Sequence, residues 1–87
     1  MISIVTPFSG NTLDLLPDYE HATMGAQLVL IDNGSDAETA DALQSLPSER
    51  GIVIRNETNL GFAAANNQGY VRADGDIIVF LNSDIAA

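Results

Sequence analysis

The sequence predicts an α/β fold built on a parallel sheet, and three observations carry that prediction. Four short apolar runs, Ile2 to Val5, Leu28 to Ile31, Ile52 to Ile54 and Ile77 to Leu81, are continuous and rich in Ile and Val, as in strands covered on both faces. Stretches of helical character lie between successive runs, and strands alternating with helices imply parallel pairing through right-handed crossovers. Polar or Gly residues bound each run, so the strands end where the pattern ends. The expected architecture is a parallel sheet of about four strands with helices on both faces, in one block over residues 1–87.

After the first run, the segment from Thr12 to Met24 has helical character, but Pro17 falls inside it and either kinks a helix or opens a second one at its first turn. After the second run, Ser35 followed three residues later by Glu38 forms a capping-box pattern, with Asp36 favouring the positive end of the helix dipole. Ala37, Ala40, Leu43 and Leu46 would mark the inner face of this helix, and Pro47 would end it, which places it at about residues 36–46. The third helix, from about Gly61 to Ala73, carries Ala63, Ala64, Ala65, Asn66, Asn67 and Gly69 and few bulky side chains. Small residues there let a neighbouring backbone or a ligand approach closely.

At 87 residues the chain makes one domain, which buries only about 60 per cent or slightly more of its unfolded surface and so has a thin stability margin. No apolar run reaches the roughly 20 residues of a membrane span, and no basic and apolar leader opens the chain, so the expected location is the cytoplasm. Without cysteine there is no disulfide, thiolate nucleophile or sulfur-ligated zinc. Twelve acidic residues against three arginines give a net charge of −9, which repels nucleic acid and anionic membranes. A phosphorylated ligand meets the same field and would need backbone N–H groups or a divalent cation to hold it.

In an open parallel sheet, ligands bind beyond the carboxyl ends of the strands. The residues expected there are Thr6-Pro7, Asp32-Asn33-Gly34-Ser35, Arg55-Asn56-Glu57 and Asn82-Ser83-Asp84. Asp32 could accept hydrogen bonds from a base or ribose, although Asp, Asn, Gly and Ser are also what any strand-to-helix turn prefers. Asp84 could ligate Mg²⁺ or Mn²⁺, hard cations that favour carboxylate oxygen, or could simply be a turn residue. In Asn59 to Gly69, reading NLGFAAANNQG, paired Asn and Gly residues are poor choices for a helix selected only for stability. The amides of Asn66 and Asn67 could meet a diphosphate or pack on the strand ends, and Gly61 could open the helix N-terminus to an anion. His21 has no second ligand or nucleophile at a telling spacing, and the glycines match neither GxxxxGK[ST] nor GxGxxG.

In order, ISIVTP, LVLIDNGSDAETADAL, IRNETNLGFAAANNQGY and GDIIVFLNSD closely resemble the first half of bacterial family 2 glycosyltransferases, especially the rhamnosyltransferase-like group. The resemblance spans nearly the whole chain and implies a truncated GT-A, Rossmann-like fold, the half that binds a nucleotide diphosphate sugar. It places the nucleoside near Thr6, Asp32 and Asn33, the diphosphate near Gly61, Asn66 and Asn67, and Mg²⁺ or Mn²⁺ on Asp84, the last acid of the DxD position. It departs from the family pattern at Asn82, where the first acid of that motif would stand, at Asn66, where many relatives carry Arg, and at Phe8-Ser9-Gly10, where Tyr-Asn is common. The resemblance also implies a glycan or lipid-linked acceptor, a general base beyond residue 87, an inactive isolated chain, and a location at the inner face of the membrane for a longer protein. The alternative from another class is a non-catalytic nucleotide-binding module, or one that covers its open sheet by homo-oligomerisation.

Overall fold

The computed structural model describes residues 1–10, 16–17, 23, 25–45 and 51–81. Strands β1 (Ile2–Gly10), β2 (Gln27–Ser35), β3 (Gly51–Asn56) and β4 (Ile77–Phe80) form one parallel sheet in the order β3-β2-β1-β4. Helix α1 (Ala37–Ser45) joins β2 to β3, and α2 (Phe62–Arg72) joins β3 to β4. The expected fold class is therefore the observed one. Of the segment expected to form the first helix, Leu16 and Pro17 are helical, and the rest, apart from Thr23, lies outside the described residues with His21, Leu46 and Pro47.

Strand alternation divides the core into two layers. On one face Phe8, Leu28, Leu30 and Leu43 of α1 pack with Leu16, and Ile4, Val53 and Leu81 border them. On the other face Val5, Val29 and Ile31 pack against Ala65 of α2, bordered by Ile52, Ile54 and Ile78. Helices thus cover opposite faces, as doubly wound connections require. The central strands β1 and β2 are buried as expected, whereas β3 is half-buried and β4 is largely exposed at Ile77, Val79 and Phe80, a correction to the reading of all four runs as fully covered.

The small residues of α2 serve the helix–sheet contact at one position above all. A Cβ on Gly69 would stand 2.2 Å from Val5 Cγ1 and 2.9 Å from Ile31 Cδ1, so only glycine lets α2 lie this close to the sheet. At the other end of the strands, Ser3 Oγ donates to Gln27 Oε1 at 2.6 Å and accepts from Gly75 N at 2.7 Å, while Gln27 Oε1 also accepts from Asp74 N at 2.9 Å. These bonds pin the turn that leads α2 into β4.

Several local expectations need correction. Thr6-Pro7 and Phe8-Ser9-Gly10 do not follow β1 but belong to it, with Gly10 paired to Ser35 after a register shift beyond Phe8. Pro7 is tolerated because β4 pairs with β1 only as far as Val5↔Phe80, which leaves Pro7 with a strand neighbour on the β2 side alone among the described residues. Asp32 to Ser35 are likewise strand, so Asp36 is the single residue between β2 and α1. For that reason Asp36, not Ser35, caps α1: its Oδ1 accepts the Thr39 N–H at 2.9 Å. Ala37 is exposed, and the inner face is Thr39, Ala40 and Leu43.

Candidate functional site

Because every strand is parallel, the carboxyl ends of β1, β2 and β3 and the N-terminus of α2 meet at one edge of the sheet. β2 brings its polar tail there. The side chain of Asp32 is 1% exposed, and its Oδ1 accepts the Ser35 N–H at 2.9 Å. Its Oδ2 is buried and makes no hydrogen bond, with Arg55 Nε, from the partner position on β3, at 4.0 Å. That separation is beyond hydrogen-bond reach but close enough for charge attraction. A buried acceptor left unmade costs on the order of 1–3 kcal/mol, so this oxygen calls for a donor that the fold does not supply.

Next to it, Asn33 sits at the centre of a chain of amides. Its Nδ2 donates to Asn59 Oδ1 at 2.9 Å and to Gly61 O at 3.3 Å, and its Oδ1 accepts from Leu60 N at 2.9 Å and Asn56 Nδ2 at 3.3 Å. Asn56 and Gln68 of α2 exchange two further bonds, at 2.8 Å from Asn56 Nδ2 to Gln68 Oε1 and 3.0 Å from Gln68 Nε2 to Asn56 Oδ1. Asn59 Oδ1 also accepts the Gly61 N–H at 2.8 Å. The chain ties β2, β3, the following loop and α2 into one rim. Gly34, at φ +78°, gives that loop room, since a Cβ there would lie 2.7 Å from Asn59 N.

Gly61, at φ 92° and ψ 161°, is the N-cap of α2, and no side chain caps the helix. Its first turn therefore presents backbone N–H groups without an intrahelical acceptor, at the positive end of the dipole. Asn66, one turn in, is half-buried with Oδ1 enclosed and without a hydrogen bond, while Asn67 is exposed. Ser35 Oγ is a third enclosed oxygen without a partner.

The expected site residues thus fall into distinct groups. Asp32, Asn33 and Gly61 come together at the carboxyl edge, with Asn66 and Asn67 on the helix that opens there. Thr6 is fully buried inside β1 and presents no surface. Asn33 has all its hydrogen-bonding capacity taken within the fold, which makes it a support for the rim. Asn82, Ser83 and Asp84 lie outside the described residues, and among the described residues no group of three acids or histidines comes together as a metal site. Sequence reasoning placed Asn56 at the strand ends and Asn59 and Gln68 in the NLGFAAANNQG segment, but did not foresee that their amides bond one another and Asn33. It also gave Arg55 no role beside Asp32.

Sheet order, helices on both faces and a polar rim at the carboxyl edge define a Rossmann-like α/β domain. The sequence pattern described as "Glycosyl transferase family 2" matches residues 19–87. Glycosyltransferase TuaG of Bacillus subtilis, named for teichuronic acid biosynthesis, is 33% identical over 91 residues that cover 97% of this chain and 36% of TuaG. An uncharacterized glycosyltransferase of Haemophilus influenzae is 38% identical over 67% of this chain and 24% of its own length. YfnE, an uncharacterized glycosyltransferase of Bacillus subtilis, is 34% identical over 70% of this chain and 16% of its own. The chain belongs to glycosyl transferase family 2, and it spans about a third of TuaG and less of the other two. No helix among the described residues is long and apolar enough to cross a membrane.

Proposed function

We propose that this domain binds the nucleotide diphosphate sugar of a glycosyltransferase that acts on a glycan or lipid-linked acceptor. The observation that carries the reading is the enclosed Oδ2 of Asp32, an acceptor without a hydrogen bond at the edge of the sheet where α/β domains take their ligands. That oxygen is enclosed, so a nucleoside N–H or O–H would reach it only where the surrounding rim opens. The uncapped first turn of α2, with Gly61, Asn66 and Asn67, would face the diphosphate. A carboxylate suits Mg²⁺ or Mn²⁺, and Asp84 follows β4, the strand on the far side of β1 from Asp32. When bound, the cation would neutralise the leaving diphosphate, while the residues of this chain orient the nucleoside and rim the site. The TuaG name fits a glycan acceptor.

Titration of the chain with UDP or TDP, with and without Mn²⁺, tests the reading. Binding should depend on the cation and be lost in Asp84→Ala and Asp32→Ala. Affinity that needs no metal and survives Asp84→Ala would refute the metal role, and no binding under any condition would refute the donor site.

A second reading is favoured by β4. This edge strand exposes Ile77 at 59%, Val79 at 40% and Phe80 at 49%, beside Ile2 at 45%, and carries no Lys, Pro or charge to blunt pairing. The isolated chain would then self-associate through β4. Light scattering should show an oligomer that Val79→Lys converts to a monomer; a monodisperse monomer for the unaltered chain refutes it.

A further inference from the structure

Asn33 is the one asparagine of the chain that is followed by glycine. Asparagine is among the chemically labile residues, and a following glycine is its most reactive setting, because no Cβ keeps the glycine nitrogen away from the asparagine side chain. The fold requires both residues. Position 33 donates two hydrogen bonds through Nδ2, to Asn59 Oδ1 and Gly61 O, and accepts two at Oδ1, from Leu60 N and Asn56 Nδ2, a combination that calls for an amide. Position 34 takes φ +78° and leaves room for the Asn59 backbone N, which a Cβ would approach to 2.7 Å. A labile pair thus stands at the centre of the rim, and the bonds that require it also hold it still. Asn33 is 3% exposed, and its side chain is fixed at both the nitrogen and the oxygen of the amide.

We propose that Asn33-Gly34 is a self-modification site, shielded by the amide rim and reactive when the rim opens. In the reaction the Gly34 backbone nitrogen loses its proton and attacks Cγ of Asn33. The bond from Cγ to that nitrogen forms, the bond from Cγ to Nδ2 breaks, and Nδ2 leaves with the proton as ammonia, closing a five-membered imide. Water then opens the ring at either carbonyl and gives aspartate, or isoaspartate with the side-chain carbons in the main chain. The fold opposes the first step. Extended backbone at Asn33 in β2 turns the Gly34 nitrogen away from the side chain, and rotating it inward would disrupt the pairing of Asn33 with Asn56 and the side-chain bonds together. The product cannot restore the rim. Aspartate sets a carboxylate oxygen against Asn59 Oδ1 and Gly61 O in place of the Nδ2 donor, and isoaspartate lengthens the backbone of β2 within its register with β3. The modification therefore makes a transient opening permanent and weakens the hold of β2 on the N-terminus of α2.

The test incubates the unaltered 87-residue chain, folded in buffer and unfolded in urea at the same pH and temperature, and follows conversion at residue 33 by mass spectrometry with fragmentation. Conversion should be on the order of a hundredfold slower in the folded chain, where the side-chain bonds of Asn33 must open first. Asp74-Gly75 can close the same ring, but it loses and regains water with no change of mass, so the mass gain reports asparagine. Asn59→Ala, which removes the acceptor of Asn33 Nδ2 and of the Gly61 N–H, should speed conversion about tenfold in the folded chain and leave the rate in urea unchanged. Circular dichroism establishes whether that variant folds, and Gln68→Ala, which breaks the pair with Asn56 one step further along, is the milder second variant, with an expected gain of about threefold. Folded and urea rates within about twofold of each other, or no acceleration in a folded variant, overturn the shielding by the rim. Conversion in urea that is no faster at Asn33 than at the other asparagines overturns the site itself.

Discussion

Replacing Asn33 with Asp separates a residue that supports the rim from one that touches a ligand. Asn33 is 3% exposed, and its Nδ2 donates to Asn59 Oδ1 at 2.9 Å and Gly61 O at 3.3 Å. Aspartate is the same shape and keeps the bonds from Leu60 N and Asn56 Nδ2, but it cannot donate, and its second oxygen would face two acceptor oxygens. Each lost bond is worth about 0.5–1.5 kcal/mol and the opposed buried oxygens add to it, so the variant should lose about 2–4 kcal/mol. A chain of this length has a total stability on the order of 4–13 kcal/mol, and its Tm should fall by roughly 10–25 °C. Urea unfolding followed by far-ultraviolet circular dichroism measures the loss, and a UDP titration well below the transition measures binding. An Asn33→Asp protein that unfolds at the unaltered urea midpoint yet no longer binds UDP would show that Asn33 contacts the ligand and that the amide chain is not what holds the rim.

Further outcomes follow from the same packing. Gly69→Ala should destabilise by about 1–3 kcal/mol in urea unfolding because its Cβ would stand 2.2 Å from Val5 Cγ1, although Ala in a helix interior is otherwise better than Gly by roughly 1 kcal/mol; a more stable variant would mean that α2 does not lie this close to the sheet. Asp36→Ala should cost about 0.5–2 kcal/mol as the loss of the α1 cap, whereas Ser35→Ala, which removes an oxygen without a partner, should change the midpoint little or raise it. Gly34→Ala should cost about 1–3 kcal/mol, since it combines a φ of +78° with a Cβ 2.7 Å from Asn59 N, and a thermal melt would register it.

The sheet was legible because its inner residues are apolar for one reason only, burial on two faces. Val5, Val29 and Ile31 could not have been read otherwise, and neither could the alternation of runs with helices. The strand ends were not legible, because beyond Val5 and Ile31 the chain turns polar and stays extended only through pairing with a neighbour, as in Asp32↔Phe8 and Asn33↔Asn56. Local composition at DNGS names a turn, and the register overrides it. The helix cap moved by one residue for the same cause. In the site, Asp32 was visible as an acid after a strand, yet its unpartnered oxygen depends on where Ser35 and Arg55 fall around it. The amide chain was harder still: Asn33 lies 23 or more residues from Asn56 and Asn59, and Gln68 lies 12 beyond Asn56, so sheet register and the seating of α2 through Gly69 bring them into contact.

The chemistry of that rim bears on the charge problem posed by the sequence. A chain with net charge −9 that takes a diphosphate must offset its own field locally, and basic side chains around the site would be the direct means. Instead the rim is made of neutral amides joined to one another, and its one described guanidinium stands opposite a buried acid. Neutral amides bring no added negative charge, and they hold the N-terminus of α2 in place by bonding Gly61 through both its N–H and its carbonyl. What this edge offers an anion is therefore the backbone of that first turn, a partial charge of about half a unit that acts over one turn. That is too little for a diphosphate against nine net negative charges, so the reading of a phosphorylated ligand and the reading of a divalent cation stand or fall together. A diphosphate bound with full affinity in the presence of a chelator would separate them, and would require a source of positive charge other than those described here.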